Sequence, residues 1–430
     1  MSPGSKTVVV AGAGLAGLRA CEGLRSGGFE GRLVLLGDEP HLPYDRPPLS
    51  KQFLAGDWPA DRLLLRPEAS FAELGVELLL ELRASELDVE RGRLGCAGGQ
   101  EVAFDGLVIA TGAAPRLLPG LSELGQAHVL RTYEDAVRLK AALAIGEDGV
   151  TSDARLLLVG AGFIGLEVAA TARRFGVEVD VVDPLAGPLG RVLPGEVGAV
   201  VEAIHRDHGV RLHLSATLAA VEDLGKGAGL ACRLSDGSAM EVDAVLVGIG
   251  AAPAVSWLET SGLDVSPDGL GCDAWLRVAP RIVAAGDVAR FPFGARAGQG
   301  PGGTVRLEHR TSAAELGEHA ARSLLAELHG LEPSGGSPSS QAGPAPFETV
   351  PYVWSDQYDV KIQVLGLPGP SDQVVVVDGS LESRRFVACL GRDGVLAAAV
   401  SFGRPRPLMK LRPLLARGAS FAEALALDLS

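Results

Sequence analysis

At 430 residues the chain is long enough to form two or three domains, each with its own buried core. Hydrophobic residues make up 47% and charged residues 21%, as in ordinary globular proteins, and no apolar stretch reaches the ~18 residues of a membrane span. The formal net charge of −14 argues against nucleic acid or an anionic membrane as the main partner. The first strand follows the N-terminus without a basic and apolar leader, so we expect a cytoplasmic protein.

The first elements form a dinucleotide fingerprint, VVVAGAGLAG at Val8 to Gly17. The pattern predicts a strand over Thr7–Ala11, a helix over Leu15–Arg25 and a second strand over Arg32–Leu36. The glycines of such a unit let the backbone approach a pyrophosphate at the helix N-terminus. One match is weak by itself, because chance glycine spacings are frequent in a chain with 57 glycines.

The same pattern returns at LLVGAGFIG, Leu157 to Gly165, with a strand over Arg155–Val159, a helix over Ile164–Phe175 and a strand over Glu178–Val182. A second repeat closes each half, since FDGLVIATGAAP resembles VDAVLVGIGAAP when Asp105 is aligned with Asp243. The alternative is two unrelated strand ends rich in alanine and glycine. We favour two nucleotide-binding units of one plan, because turn, strand and spacing agree.

The rest of the chain predicts a third region. PRIVAAGDVARF, Pro280 to Phe291, is a strand followed by an acidic turn, and a helical pattern covers Thr311–Leu328. A linker rich in Pro, Gly and Ser runs from Leu331 to Pro346, and antiparallel strands and a short helical tail follow it. We predict a discontinuous nucleotide-binding domain over residues 1–115 and 255–330, a second nucleotide-binding domain over 116–254 and a C-terminal domain over 331–430.

The five cysteines have no CxxC or CxxxxC spacing. Flavoproteins that reduce disulfides pass electrons through a pair of close cysteines, and this chain has no such local pair. No cluster of Cys and His has zinc or iron–sulfur spacing either, so we expect no bound metal.

Five further motifs, in this order along the chain, carry a family resemblance: PYDRPPLSK, ATG, GAGFIGLEVAA, AAGDVA and WSDQY. With them the chain resembles the FAD-containing, NADH-dependent ferredoxin reductases of the putidaredoxin reductase and aromatic-ring dioxygenase type. The family serves bacterial haem monooxygenases and ring dioxygenases. The resemblance implies an α/β fold with two Rossmann-like domains, like that of glutathione reductase, plus a C-terminal α+β interface domain. It also implies that the discontinuous domain, 1–115 and 255–330, binds FAD and that the domain over 116–254 binds NAD.

The resemblance also implies the FAD contacts. The first fingerprint would hold the pyrophosphate, Asp38 the adenosine ribose and Asp287 the ribityl chain, while Trp354 would cover the dimethylbenzene edge of the flavin. Two alternatives stay open, since Asp38 could cap a turn before Pro40 and Trp354 could be an ordinary core residue. The complete set of implied FAD contacts is Gly12, Gly14, Ala16, Gly17, Asp38, Arg46, Lys51, Arg131, Asp287 and Trp354.

The second fingerprint would bind NADH. Its glycines, Gly160, Gly162 and Gly165, would cradle the pyrophosphate, and Asp183 stands where an acidic residue reads the ribose 2′-hydroxyl. A carboxylate there repels the 2′-phosphate of NADP, so we expect a preference for NADH. We also expect cofactor contacts from Thr111, Ile164, Gly250 and Val305.

Lys51 and Glu167 are the predicted catalytic pair. In the family the glutamate faces the nicotinamide and pairs with the lysine near the flavin N5, so that together they orient the nicotinamide for hydride transfer. The alternative for Glu167 is purely structural, because a helix dipole favours an acid on the first turn.

The chain departs from the family at RLEHRTSAAELG, Arg306 to Gly317, where Arg310 stands in place of a frequent Trp. Ser312 and Leu316 likewise replace Asn and Gln, which puts the identity of the partner in doubt. We expect a small acidic iron–sulfur ferredoxin to dock on a basic segment, helped by Arg310, and we expect a monomer or weak homodimer. The basic residues of that segment are Arg404, Arg406, Lys410, Arg412 and Arg417. The alternative is a solvated basic tail.

Two rival functions remain at this point. The first is a flavoprotein that oxidises NADH with oxygen or reduces rubredoxin or a quinone. The second is an NAD-sensing flavoprotein that resembles the apoptosis-inducing factors.

Overall fold

The computed structural model describes residues 6–121, 123–145, 153–225, 228–294, 303–331 and 343–429. The helices in these ranges are α1 (Leu15–Ser26), α2 (Ala69–Glu73), α3 (Tyr133–Ala142), α4 (Phe163–Arg174), α5 (Gly195–Asp207), α6 (Arg310–Leu328), α7 (Pro405–Lys410), α8 (Arg412–Ala416) and α9 (Phe421–Leu425). No helix of the described residues is long and apolar enough to cross a membrane.

The strands of the first half are β1 (Thr7–Ala11), β2 (Arg32–Leu36), β3 (Val76–Leu79), β4 (Ala84–Asp88), β5 (Arg93–Cys96), β6 (Glu101–Ala103), β7 (Gly106–Ile109), β8 (Ala113–Pro115), β9 (Ala127–His128), β10 (Arg155–Val159), β11 (Glu178–Asp183) and β12 (Arg211–Leu214). The strands of the second half are β13 (Leu218–Asp223), β14 (Leu230–Leu234), β15 (Ala239–Val242), β16 (Ala244–Val247), β17 (Ala251–Pro253), β18 (Val265–Ser266), β19 (Gly269–Gly271), β20 (Arg277–Ala279), β21 (Ile282–Ala284), β22 (Ala289–Phe293), β23 (Gly303–Val305), β24 (Tyr352–Gln357), β25 (Val360–Gly366), β26 (Gln373–Ser380), β27 (Arg385–Arg392) and β28 (Val395–Phe402).

These elements form two compact units. The first consists of Met1–Asp45, Leu64–Ala114 and Ala252–Pro351, and the second of Arg46–Leu63, Pro115–Ala251 and Tyr352–Ser430. The strands and helices of the predicted C-terminal domain therefore belong to the second unit, together with those of the predicted NAD domain. The assignment of FAD and NAD to particular domains stays a prediction.

The first unit is built on a six-stranded sheet in the order β20-β21-β7-β1-β2-β3, parallel except for β20. Its central strands are almost wholly apolar and buried, as expected for parallel strands that are covered on both faces. The helices α1 and α6 pack against each other and contact this sheet. Smaller sheets, β4-β5-β6 and β18-β19-β22-β23, complete the unit.

The second unit contains a five-stranded parallel sheet in the order β12-β11-β10-β16-β9. The antiparallel sheet β13-β14-β15 packs one face into a buried cluster with residues of β10 and β16. The C-terminal strands form a five-stranded antiparallel sheet, β24-β25-β28-β27-β26, and α7, α8 and α9 contact it.

Two equivalent hydrogen bonds, one in each unit, reflect the internal repeat of the sequence. Asp105 accepts a hydrogen bond from the Thr7 N–H at 2.7 Å, and Asp243 accepts one from the Arg155 N–H, also at 2.7 Å. Asp105 directly precedes β7 and Asp243 directly precedes β16. Each aspartate thus holds the first residue of the strand that carries the glycine turn. The two aspartates aligned from the sequence occupy equivalent positions in their units.

The predicted mixed α/β fold is confirmed, and most element boundaries lie within one residue of the prediction. The two small antiparallel sheets β4-β5-β6 and β13-β14-β15 were not predicted, because their strands are short and alternate only weakly between apolar and polar residues. Residues 332–342 of the predicted linker lie outside the described residues. The last residues of the linker belong to the first unit, in which the Trp275 indole donates a hydrogen bond to the Pro344 carbonyl at 2.9 Å.

Candidate functional site

The first glycine turn leaves a helix N-terminus open. Gly12 follows β1 with a φ of +124°, and a Cβ there would lie 2.1 Å from the Ala110 carbonyl oxygen, so only glycine is accommodated. Gly14 is the N-cap of α1, no side chain caps it, and a Cβ at Gly14 would meet no atom within 4 Å. Ala16 and Gly17 lie on the first turn, with Gly17 packed against Gly12.

The second glycine turn has the same construction. Gly160 has a φ of +108°, and a Cβ there would lie 2.4 Å from the Gly248 carbonyl oxygen. Gly162 is the uncapped N-cap of α4, and a Cβ on it would meet only one atom within 4 Å, at 3.8 Å. Gly165 packs against Gly160, and the Ile164 side chain is half-exposed.

The residues of both turns fit the pyrophosphates of two dinucleotides. In each unit the N–H groups at the start of a 12-residue helix face space that no side chain occupies. Such N–H groups and the positive end of the helix dipole attract an anion. Each turn also lies at the carboxyl end of a parallel strand where the strand order reverses, which is the binding crevice of doubly wound sheets.

The two acidic candidates for ribose binding differ in their surroundings. Asp38 is exposed, two residues after β2 ends. Asp183 is the last residue of β11, and its carboxylate accepts hydrogen bonds from the N–H groups of Ala161 at 2.7 Å and Leu185 at 2.8 Å. Each oxygen of Asp183 keeps lone pairs for a ribose hydroxyl, while the two N–H groups hold it beside the glycine turn.

The remaining candidates of the first unit lie on loops and strand ends. The Thr111 hydroxyl donates to the Ala254 carbonyl at 3.0 Å. Asp287 lies in a single 3₁₀ turn, Gly286–Val288, and its carbonyl accepts a hydrogen bond from Arg306 at 3.1 Å. Val305 ends β23.

Four further candidates belong to the second unit. Arg46 donates from Nη1 to the Arg131 carbonyl at 2.5 Å, so the structure brings these two arginines together. Trp354 lies on β24 and stacks on Tyr352, with the ring centroids 5.8 Å apart. Gly250 has a φ of +103° and accepts a backbone hydrogen bond from Arg116.

The predicted catalytic pair forms a buried ion pair. The Lys51 ammonium lies 2.6 Å from Oε2 of Glu167, and the two side chains are 11% and 6% exposed. Ser50 also donates to Oε2, at 2.5 Å, and Ser355 donates to Oε1 at 2.7 Å. The carboxylate therefore accepts three hydrogen bonds within the second unit, which is what a buried charge requires.

Two elements position the side chains of Lys51 and Glu167. Helix α4 presents Glu167 and, one turn later, Thr171 on the same face, and Thr171 donates to the Ser50 carbonyl at 2.8 Å. The 3₁₀ turn Pro47–Ser50 begins with two prolines that restrict its φ angles. The expected position of Glu167 on the first helical turn is wrong, because α4 already begins at Phe163 and places Glu167 in the second turn.

Sequence reasoning missed Ser50 and Ser355 as partners of Glu167. Both lie inside motifs that carried the family resemblance, PYDRPPLSK and WSDQY. The two-residue period of a strand could have indicated that Ser355 is buried. Ser355 and Gln357 lie on the buried face of β24, whereas Trp354 and Asp356 are only half-buried.

The five cysteines are free thiols, and none of them is joined to another by a disulphide. Four are buried, and Cys272 is half-buried. Burial raises the pKa of Cys21 and of Cys389 to about 12, so these thiols stay protonated at neutral pH and are poor nucleophiles.

The predicted basic segment is partly neutralised by acidic residues from outside it. Arg404 forms two hydrogen bonds with Asp378 of β26, and Arg417 pairs with Glu423 of α9. Arg310 likewise donates from Nε to both oxygens of Asp45, at 2.7 and 2.9 Å. The net positive charge around the segment is therefore smaller than its five basic residues alone indicate.

Two family models match the chain. The model of pyridine nucleotide-disulphide oxidoreductases matches residues 6–317, and a reductase C-terminal model matches residues 352–430. The chain belongs to the pyridine nucleotide-disulphide oxidoreductase family. Members of this family use FAD and NAD(H), so the predicted cofactors are confirmed, although the cysteines of this chain have no CxxC or CxxxxC spacing.

Within the family, the similar proteins are reductases of electron-transfer systems. The chain is 35% identical to rhodocoxin reductase of Rhodococcus erythropolis, over 95% of this chain and 89% of that protein. It is 34% identical to the ferredoxin–NAD(+) reductase component of the anthranilate 1,2-dioxygenase system of Burkholderia cepacia, over 96% and 94% of the two chains. The predicted class of enzyme, an FAD- and NAD-dependent ferredoxin reductase, is confirmed at the level of the family.

A solved structure supports the same placement. The reductase chain in the crystal structure of the covalent putidaredoxin reductase–putidaredoxin complex superposes with a TM-score of 0.86 at 30% identity. The match covers 98% of this chain and 96% of that one, so it includes the C-terminal sheet as well as both glycine turns.

Proposed function

We propose that this protein passes electrons from NADH through FAD to a small iron–sulfur ferredoxin, which in turn supplies a haem monooxygenase or a ring dioxygenase. The buried Lys51–Glu167 ion pair carries the proposal. Glu167 lies on α4, the helix that follows the second glycine turn, and Lys51 directly follows the 3₁₀ turn Pro47–Ser50. Both residues belong to the second unit, as do the partners Ser50 and Ser355. A positioned pair of opposite charges suits the carboxamide of a nicotinamide, which offers both a donor and an acceptor.

We assign the roles of the other residues from the motifs in which they lie. The turn at Gly12, Gly14, Ala16 and Gly17 holds the FAD pyrophosphate, with Asp38 on the ribose and Asp287 on the ribityl chain. Thr111, Val305, Arg46, Arg131 and Trp354 complete the flavin contacts. The turn at Gly160, Gly162, Ile164 and Gly165, together with Gly250, holds NADH, and Asp183 binds its adenosine ribose.

Bound FAD supplies the chemistry that side chains lack, because it accepts two electrons as a hydride and releases electrons singly. The protein contributes placement. Lys51 and Glu167 orient the nicotinamide, and the hydrogen bonds of Ser50 and Ser355 keep the Glu167 carboxylate in one orientation.

The partner is a small acidic ferredoxin that docks at the basic segment Arg404–Arg417. This chain is structurally similar to the reductase of the putidaredoxin reductase–putidaredoxin complex, which supports an iron–sulfur ferredoxin as the partner. Arg406 and Lys410 on α7 are exposed and would contact the ferredoxin, while Asp378 and Glu423 offset part of the charge of Arg404 and Arg417. We further propose that the protein works in the cytoplasm as a monomer or weak homodimer.

The experiment is NADH-driven reduction of cytochrome c with and without a panel of two-iron ferredoxins. We expect turnover to require an acidic ferredoxin and to fall as salt rises past about 0.15 M, where the Debye length is about 8 Å. Reduction of ferricyanide by NADH needs no docking and is the control. The double variant Arg406→Glu with Lys410→Glu should raise the KM for ferredoxin only.

Two results would contradict the proposal. Rapid oxidation of NADH in air without any added carrier would indicate an oxidase or quinone reductase. Slow flavin reduction with a long-lived complex of reduced flavin and NAD would indicate a sensor like the apoptosis-inducing flavoproteins.

A further inference from the structure

A line of buried polar side chains extends from Glu167 away from Lys51. Ser355, Gln357 and His205 are 0%, 1% and 0% exposed. Nε2 of Gln357 lies 3.1 Å from Oγ of Ser355, and Oε1 of Gln357 lies 2.9 Å from Nε2 of His205. Tyr358 completes the line, with its hydroxyl 3.2 Å from Nδ1 of His205.

The donor and acceptor chemistry of these groups determines which atom donates in each hydrogen bond of the line. The Glu167 carboxylate, paired with Lys51, only accepts, so the Ser355 hydroxyl must donate to it. Ser355 therefore accepts from the amide nitrogen of Gln357, which turns the amide oxygen of Gln357 towards His205. An amide oxygen only accepts, so the His205 ring carries its proton on Nε2.

The far end of the line agrees with this order. Burial lowers the pKa of His205 to about 4, so the ring is neutral at physiological pH and its Nδ1 accepts a hydrogen bond. The Tyr358 hydroxyl donates to it, and the Tyr358 ring stacks on His208 with centroids 3.6 Å apart. All four donors thus point towards Glu167.

The line joins three elements of the second unit. Glu167 lies on α4, Ser355 and Gln357 lie on β24, and His205 lies on α5. In a buried environment such a line of hydrogen bonds is rigid, because each member that turns away leaves a buried polar atom without a partner. The orientation of Ser355, and with it that of the Glu167 carboxylate, is therefore tied to His205.

We propose that His205 is a positioning residue for the nicotinamide site, which acts through Gln357 and Ser355 on the carboxylate of Glu167. His205 holds the Gln357 amide in the orientation that leaves the Ser355 hydroxyl free to donate to Glu167. This inference rests on the proposed function, because it assigns a role in the same hydride-transfer site.

The first test determines which ring nitrogen of His205 carries the proton. Long-range ¹H–¹⁵N NMR spectra of the wild-type FAD-bound protein, with His205 assigned from the His205→Gln variant, report which ring nitrogen is protonated. We expect a neutral ring protonated on Nε2 at pH 7.5. A ring protonated on Nδ1, or one that is cationic at pH 7.5, would overturn the donor order whatever the activity.

The second test separates positioning from packing. We would compare His205→Phe and Gln357→Met, which remove the line, with His205→Gln, whose amide nitrogen can replace Nε2 as the donor. The matched control is His319→Phe, because His319 is also buried with a pKa lowered to about 4 but belongs to the other unit. The readouts are the limiting rate of flavin reduction and the Kd for NADH, both from stopped-flow.

We expect the two disruptive variants to reduce the limiting rate about tenfold, equivalent to ~1.4 kcal/mol, while the Kd changes less than about twofold. His205→Gln should stay within about twofold of the wild-type rate, as should His319→Phe. Equal rates in Gln357→Met and the wild type would refute the role of His205, and so would a loss in His205→Gln as large as in His205→Phe.

The two proposals fail differently. A wild-type protein whose flavin NADH does not reduce would refute the proposed function and the positioning role together. Wild-type reduction that is fast but does not reach any ferredoxin would refute only the proposed electron acceptor. If His205→Phe does not fold, Gln357→Met and His205→Gln decide the matter.

Discussion

Asp183 has a structural role in the glycine turn and a proposed role in cofactor selectivity. Its carboxylate accepts the N–H groups of Ala161, inside the glycine turn, and of Leu185, just beyond β11. The same carboxylate lies where the adenosine ribose is proposed to bind. Removal of Asp183 would therefore loosen the turn as well as the contact with the 2′-hydroxyl, so its effect on NADH has two physical sources.

We predict that NADH is preferred over NADPH by at least about tenfold in kcat/KM, since an unpaired phosphate near one carboxylate costs ~1.4 kcal/mol or more. Steady-state kinetics with ferricyanide measure both cofactors. Asp183→Ala should narrow the ratio mainly through weaker use of NADH. Equal use of the two cofactors by the wild type would contradict the assignment.

At the same scale, the sequence identified Lys51 and Glu167 but not the residues that hold them. Motif resemblance singles out charged residues, because charge in an apolar context is conspicuous. A hydroxyl or an amide such as that of Ser355 or Gln357 is common on any strand, and its importance follows only from the group that it contacts.

The glycine turns are the elements whose construction is most specific. In each turn the first glycine is required by the backbone, with positive φ and a carbonyl within 2.4 Å of its Cβ position, whereas the second faces open space. The two kinds of glycine should respond differently to the same substitution.

We predict that Gly162→Ala leaves the melting temperature within about 2 °C of the wild type but raises the Kd for NADH about tenfold or more, because the new methyl group meets pyrophosphate rather than protein. Gly14→Ala should weaken FAD retention in the same way. Gly160→Ala is the contrast, since its strain destabilises the unit itself by several kcal/mol. Thermal melts of the apoprotein and titrations with NADH distinguish these outcomes, and unchanged NADH affinity in Gly162→Ala would place the pyrophosphate elsewhere.

Element boundaries were predictable where the pattern is local and strong. Strands β1, β2 and β10 have the predicted ends, because each is a run of Val and Leu between a charged residue and a glycine turn or acidic end. The sheets β4-β5-β6 and β13-β14-β15 escaped prediction, since their antiparallel pairing is specified by neighbours and not by a continuous apolar run.

At the scale of the whole molecule, buried neutral histidines occur in both units. Burial lowers the pKa of His205 in the second unit and of His319 in the first to about 4, and burial also lowers the pKa values of His128 and His309. An unfolded chain protonates these rings near pH 6.5, whereas the folded protein does not. Protons therefore bind preferentially to the unfolded state between pH 6.5 and about 4.

We predict that stability falls as pH is lowered through this window. His205 and His319 should each contribute a loss on the order of 1 kcal/mol by pH 5.5, which grows further as the pH approaches 4. Urea unfolding midpoints between pH 7.5 and 5 measure the slope, and His205→Gln should make it shallower. A midpoint that does not change from pH 7.5 to 5.5 would show that these rings are protonated in the folded protein.

The sequence by itself determined the two nucleotide-binding units, their cofactors and the class of enzyme. Glycine turns, apolar strands and helix starts are local features, and their spacing can be read without knowing what lies across the fold.

The tertiary structure alone decided the contacts between residues distant in the chain. Glu167 meets Lys51 across 116 positions and Ser355 across 188, and the charge of Arg404 is offset by Asp378 from another strand. Hydrogen-bond order and net local charge depend on which groups the fold brings within about 3 Å, and no local pattern encodes that distance.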